Sequence, residues 1–306
     1  MIKLPCVNTK YPTHPAREKM RNSAAMMEKL LRHSTCWGVC RRATSATVTT
    51  RCAGARTAAS RLLSGGAALA LHGGTPVVNP KDPLPTIANH TGRSIGDSEK
   101  LAIMDVLDSG NLAYITGSKV KEFQQAFGEI YGTTNNVAVS SGTSALHTAL
   151  VYLNPEPGDE ILVSPITDMG DIIAILMQMC VPVFVDVDAK TQNLDPAKIE
   201  AAITARTKAV IATHIYGASA DMDPIMEIAQ QHSLFVIEDC AQAVLSTYKG
   251  RLCGTIGHMG CFSFQQSKHI TTGDGGMVIS NSDEQFGRKL NQCHDKGWPR
   301  DGVATV

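Results

Sequence analysis

The run Leu234-Phe235-Val236-Ile237-Glu238-Asp239-Cys240-Ala241-Gln242-Ala243 decides the fold. Four apolar residues in succession, with β-branched and aromatic types among them, read as a strand buried on both faces. The strand then runs directly into two acids. Upstream, residues 223–231 carry helical spacing, and residues 209–212 form another short apolar run. Strand, helix and strand within about thirty residues make the repeating unit of a parallel sheet.

The same alternation extends in both directions. Residues 137–139, 161–163, 181–185, 261–264 and 277–279 read as further strands. Helical spacing covers 118–130, 143–153, 171–179, 196–203 and 283–292, and an earlier helix starts near Ser94 with Asp97 as its N-cap. The expected fold is α/β, a three-layer α/β/α arrangement around a mostly parallel seven-stranded sheet. It is expected to occupy residues 66–306. Ligands of such sheets bind beyond the carboxyl ends of the strands, so the residues at those ends are the candidates for function.

Composition sets limits on the reading. The chain has 306 residues, a formal net charge of zero and 43% hydrophobic content, enough for a sizeable core. Charge is unevenly spread. Residues 1–65 hold twelve Lys and Arg against Glu18 and Glu28, which leaves the remainder acidic and argues against nucleic acid as a partner. That basic segment, rich in Ser, Thr and Ala, is expected to be a low-complexity extension, either disordered or a targeting sequence. No apolar run is long enough for a membrane span, so no membrane partner is expected. The nine cysteines form no CxxC pair, and although Cys36 and Cys40 are four apart, no second pair or nearby His cluster completes a zinc site. They read as reduced, packed thiols in a reducing compartment, with no metal site. A cytoplasmic location is expected, or a mitochondrial one if residues 1–65 are a transit peptide.

Three strand ends carry chemistry. After the strand at 137–139 comes Ser140-Ser141-Gly142-Thr143-Ser144-Ala145, which opens a helix. Small residues there expose backbone N–H groups at a helix N-terminus, an anion site by geometry and dipole, or else a simple cap. Asp239 is an acid at the end of a buried strand, either an N-cap for the next helix or a carboxylate facing a cationic ring nitrogen. Lys268 sits in Phe262-Ser263-Phe264-Gln265-Gln266-Ser267-Lys268-His269-Ile270-Thr271-Thr272-Gly273-Asp274-Gly275-Gly276. An amine buried at a strand end would have a lowered pKa and could condense with an aldehyde. Phosphate, ring nitrogen and aldehyde are the three handles of pyridoxal phosphate.

These stretches resemble the DegT/DnrJ/StrS-type sugar aminotransferases of the fold type I pyridoxal-phosphate superfamily. The resemblance also rests on Ala70-Leu71-His72-Gly73-Gly74-Thr75-Pro76, Val120-Lys121-Glu122-Phe123, His214-Ile215-Tyr216-Gly217, Ala220-Asp221-Met222-Asp223 and Gly254-Thr255-Ile256-Gly257, all in the family's order. It implies that Lys268 bonds the cofactor and later moves the proton, and that Asp239 holds the ring nitrogen. Gln242 would lie against the ring's phenolic oxygen or pack beside it. Gly142, Thr143 and Ser263 would bind the phosphate, and Met169 would pack on the ring where the family usually has an aromatic or His side chain.

The implied activity is amino transfer from glutamate or glutamine to a nucleotide-linked keto sugar or a cyclitol, in a homodimer, for polysaccharide or antibiotic synthesis. Sugar dehydratases of the same family carry histidine in place of the lysine, and Lys268 argues against that alternative. The chain ends soon after the segment following Lys268, so the resemblance further implies that the family's small C-terminal domain is absent. The remaining alternative is a fragment of the fold without turnover.

Overall fold

The computed structural model describes residues 69–70, 74–78 and 95–299. The expectations for residues 1–65 lie outside these. Of the earliest described residues, Gly74 N–H donates to the Leu69 carbonyl at 3.0 Å. The sheet and its helices belong to the unit beginning at Gly96.

In chain order the elements are α1 (Asp97–Ser109), α2 (Lys119–Tyr131), β1 (Asn135–Val139), α3 (Gly142–Leu153), β2 (Glu160–Val163), α4 (Met169–Met177) and β3 (Val181–Phe184). Then come α5 (Ile199–Ala202), β4 (Thr207–Thr213), α6 (Met222–Gln231), β5 (Phe235–Asp239), β6 (Thr247–Tyr248), β7 (Arg251–Leu252), β8 (Met259–Ser263), β9 (Gly276–Ser280) and α7 (Glu284–His294). Seven strands form one sheet in the order β1-β9-β8-β5-β4-β2-β3, while β6 and β7 make a separate hairpin. Within the large sheet β9 runs antiparallel to both neighbours, and the pairs β8–β5, β5–β4, β4–β2 and β2–β3 are parallel. Six strands therefore deliver their carboxyl ends to one edge, and β9 starts there.

Strand periodicity explains the layers. Successive side chains point to opposite faces, so Cys261 and Phe262 of β8 enter different cores. Cys261 joins Ile161, Ile211, Ile237 and Val278 in a cluster with Leu150 of α3, Ile175 of α4 and Leu290 of α7. Phe262 meets Phe127 and Tyr131 of α2 edge-on, at ring distances of 5.1 and 4.9 Å. With both faces apolar, the strands cannot alternate apolar with polar, which is why they read as continuous apolar runs.

Two local expectations are corrected. The N-cap of α1 is Gly96, and Asp97 is the first helical residue. Glu99 reaches back to accept the Gly96 N–H at 2.6 Å, so the acid that caps this end lies one turn inside the helix. Residues 196–203 form only a 3₁₀ turn, Pro196–Lys198, followed by the single turn α5, because Pro196 starts a helix and Ile203 leaves it in extended backbone.

Candidate active site

The carboxyl edge of the sheet collects the functional candidates. At the end of β1 the chain turns into α3 through Ser141, whose Oγ accepts from the Ser144 N–H at 3.0 Å and lies 2.9 Å from the Ser144 hydroxyl. The amides of Gly142 and Thr143 are the first two of the helix and have no carbonyl partner within it. Ser263, buried at the end of β8, closes over this turn: a β-carbon on Gly142 would sit 2.7 Å from that of Ser263. Gly170 of α4 approaches from the other side, where a β-carbon would lie 2.8 Å from Thr143 Oγ1. Glycine is required at both positions by close approach, and the result is a cradle of unpaired amides beside two hydroxyls.

Asp239 ends β5 and is buried. Its Oδ1 accepts the Ala241 N–H at 2.9 Å, closing a turn rather than capping a helix. Burial raises its pKa, opposed by that amide, by His214 and by the Lys268 ammonium. The lysine is therefore close enough to act on this carboxyl. Lys268 itself corrects the expectation of an amine buried at a strand end. It lies beyond β8 in the loop leading to β9, half-buried, its N–H donating to the Gln265 carbonyl at 2.9 Å. The strand ends at Ser263 because Phe264 turns away to pair with Gly275 and Thr272 across the loop.

Gln242 and Met169 occupy the rim. Gln242 Oε1 accepts the backbone N–H of Tyr216 at 2.8 Å, which holds this 73% exposed residue at φ +55°. The Gln242 Nε2 hydrogens and the second lone pair of Oε1 remain for a ligand. Met169, the first residue of α4, is 62% exposed and buries no core surface.

Two features of this edge escaped the sequence reading. Asp171, in the first turn of α4, is buried, and its Oδ2 accepts from Thr167 Oγ1 at 2.5 Å and from Thr213 Oγ1 at 2.9 Å. Burial, then the neighbouring Asp239, raises its pKa well above the carboxylate range. A charged residue between the apolar turns of α4 was the available signal. The second feature is Glu238, whose side chain points opposite to that of Asp239. It accepts from His214 Nε2 and from the backbone N–H groups of Gly254, Ile256 and Gly257, at 2.6–2.9 Å. His214, Glu238 and Cys240 are metal-ligand types in reach of one another. His214 Nδ1, however, accepts the Ala220 N–H at 3.0 Å, and the Glu238 carboxylate is saturated by four donors, so this cluster is a hydrogen-bonded core rather than a set of free ligands.

A groove of about 1020 Å³ opens at the opposite edge of the sheet, lined by Glu156, Asp159, Lys208 and His258 among others. Among the described residues no helix is long and apolar enough to cross a membrane.

Known proteins resemble this chain. A GDP-perosamine synthase from Caulobacter vibrioides is 42% identical over 201 residues, 66% of this chain and 54% of that protein. An L-glutamine:2-deoxy-scyllo-inosose aminotransferase from Streptomyces lividus is 40% identical over 202 residues, 64% of this chain and 47% of that protein. The PLP-form structure of Spr1654 from Streptococcus pneumoniae superposes with a TM-score of 0.62 at 28% identity, covering 65% of this chain and 55% of that one. The chain thus spans about half the length of the curated relatives it matches. The model of the DegT/DnrJ/EryC1/StrS aminotransferase family matches residues 93–303, a span that includes the whole seven-stranded sheet, and the chain belongs to that family.

Proposed function

We propose that this chain binds pyridoxal phosphate at the carboxyl edge of its sheet and serves amino transfer from glutamate or glutamine to a keto sugar or cyclitol. The observation that carries the reading is the convergence of the α3 amides, the buried Asp239 and Lys268 at one edge, in a chain of this family. The residues suit the group. Gly142 lets the Ser263 side chain close in on the first amides of α3, where an added β-carbon would meet it at 2.7 Å, and Asp239 is a buried acid whose charged form gains from a cation.

When bound, pyridoxal phosphate supplies an electron sink that acidifies the C–H bond beside the transferred nitrogen. The Gly142 and Thr143 amides and the Ser263 hydroxyl would hold phosphate, with the helix dipole in support. Asp239 would keep a proton on the ring nitrogen. Lys268 Nζ would hold the aldehyde end and, once displaced, take and return a proton as general base and acid. The Met169 thioether would cover one ring face, and Gln242 Nε2 would serve the phenolic oxygen. A homodimer is supported by exposed apolar surface on α4 and the edge strand β3, where Leu176, Met177 and Phe184 are each about half exposed.

Visible absorbance tests the reading. The chain with pyridoxal phosphate is expected to show a band that Lys268→Ala lacks and that glutamate or glutamine diminishes as a 2-oxo acid appears. A lysine-dependent band that neither donor changes would leave binding without turnover, and no such band would sink the reading.

A further inference from the structure

Asp171 adds a second carboxyl to the site, and its hydrogen bonds are incomplete. The side chain is 1% exposed. Both hydroxyl donors, from Thr167 and Thr213, go to Oδ2, while the buried Oδ1 has no hydrogen-bond partner. Thr213 ends β4 in register with Asp239 on β5, which brings the two acids side by side. The titratable groups around the pair are Lys268 and His214, which act on Asp239, and the buried thiols of Cys240 and Cys261.

Two adjacent carboxylates in a medium of low dielectric cannot both ionise. The proton belongs to the acid whose charged form is less supported. Asp239 has the Ala241 amide and Lys268 in support of its charge. Asp171 has two hydroxyls, which serve a neutral carbonyl oxygen as well as a carboxylate. Its unpartnered Oδ1 is the atom left to carry the proton, with Asp239 the acceptor at hand.

We propose that Asp171 is a positioning residue: it carries one proton for the pair from Oδ1, directs it at Asp239, and so keeps Asp239 the charged partner that faces the site. The proposal rests on the pyridoxal-phosphate reading only for what Asp239 then holds. A neutral Asp171 leaves a single negative charge, matched to a single ring cation.

Infrared spectroscopy of the full chain without cofactor, at pH 7, tests the proton directly. The wild type is expected to show the C=O stretch of a buried protonated carboxylic acid, and Asp171→Asn is expected to lack it. Pyridoxal phosphate affinity, followed by fluorescence, should stay within about threefold in Asp171→Asn, whose amide can accept from the threonines and donate to Asp239. It should fall roughly tenfold or more in Asp171→Leu, the loss of one hydrogen bond to a charged group. No acid band in the wild type, a band that survives in Asp171→Asn, or equal losses of affinity in the two variants would overturn the proposal. The wild-type spectrum decides the proton count even if the leucine variant fails to fold. It also needs no cofactor, so a chain that bound no pyridoxal phosphate would sink the functional reading and leave the proton assignment standing.

Discussion

Glu238 Oε2 lies 2.9 Å from His214 Nε2, and neither side chain has exposed surface. The Ala220 amide occupies His214 Nδ1, which leaves the Nε2 hydrogen for Glu238. Three further amides, from Gly254, Ile256 and Gly257, complete the carboxylate. One side chain therefore ties β5 to the loop after β4 and to the turn before β8. Its neighbour Asp239, pointing the other way, is left free for the site.

Removing Glu238 would leave four buried donors unsatisfied. Glu238→Ala is expected to lose about 3 kcal/mol or more in urea denaturation, since each buried donor left unsatisfied costs about 1–3 kcal/mol. Glu238→Gln, which still offers an acceptor oxygen, is expected to lose less. Equal and small losses would show that the loops around β5 are held by other contacts.

The approach of Ser263 to Gly142 predicts a coupled pair. Gly142→Ala places a β-carbon 2.7 Å from that of Ser263 and is expected to cost about 1–3 kcal/mol by overpacking. Ser263→Gly removes the obstacle, so the double variant should recover much of that loss, a coupling on the order of 1 kcal/mol. Additive effects in thermal denaturation would contradict the geometry.

The Asp171–Asp239 pair predicts the sign of a pH dependence. Both carboxyls titrate above the ordinary value in the folded chain, because of burial and, for Asp171, of its neighbour. The folded state therefore binds more protons than the unfolded one. Stability from this pair is fully present below the unfolded pKa and is lost as pH rises through the folded values. Asp171→Asn should flatten that fall, by up to about 1.4 kcal/mol per pH unit per proton removed. Denaturation midpoints measured from acid to neutral pH in both proteins check this, and an unchanged slope would count against a shared proton.

Tyr216 is held at φ +55° with its N–H on Gln242 Oε1. Gln242→Ala is expected to lose about 1 kcal/mol from that hydrogen bond. Adding Tyr216→Gly should reduce the loss, because glycine adopts positive φ without a steric penalty. A larger loss in the double variant would mean that the exposed tyrosine ring makes the more important contact.

How far the sequence could be read depends on which interactions are local. All seven strands of the main sheet lie where short apolar runs place them, and the five inner ones, buried on both faces, cannot alternate. The β6–β7 hairpin, two residues per strand, is too short to leave a pattern. The turn into α3 at Ser141 was legible because small residues at a strand end open a helix, and Ser141 caps it through the Ser144 N–H. The placement of Lys268 in a loop was not, because Phe264 breaks from β8 through backbone bonds to Gly275 and Thr272 that no local pattern encodes. Asp171 stayed hidden for a similar reason: its partners Thr213 and Asp239 are distant in sequence and meet it only once β4 and β5 pair.

The central claim is that Lys268 is the residue that holds pyridoxal phosphate. Borohydride reduction of the chain with its cofactor, followed by peptide mass spectrometry, measures this most directly. The account predicts a pyridoxyl group on Lys268 and an unlabelled peptide map for Lys268→Ala. A label on another lysine, or equal labelling of the variant, would contradict it.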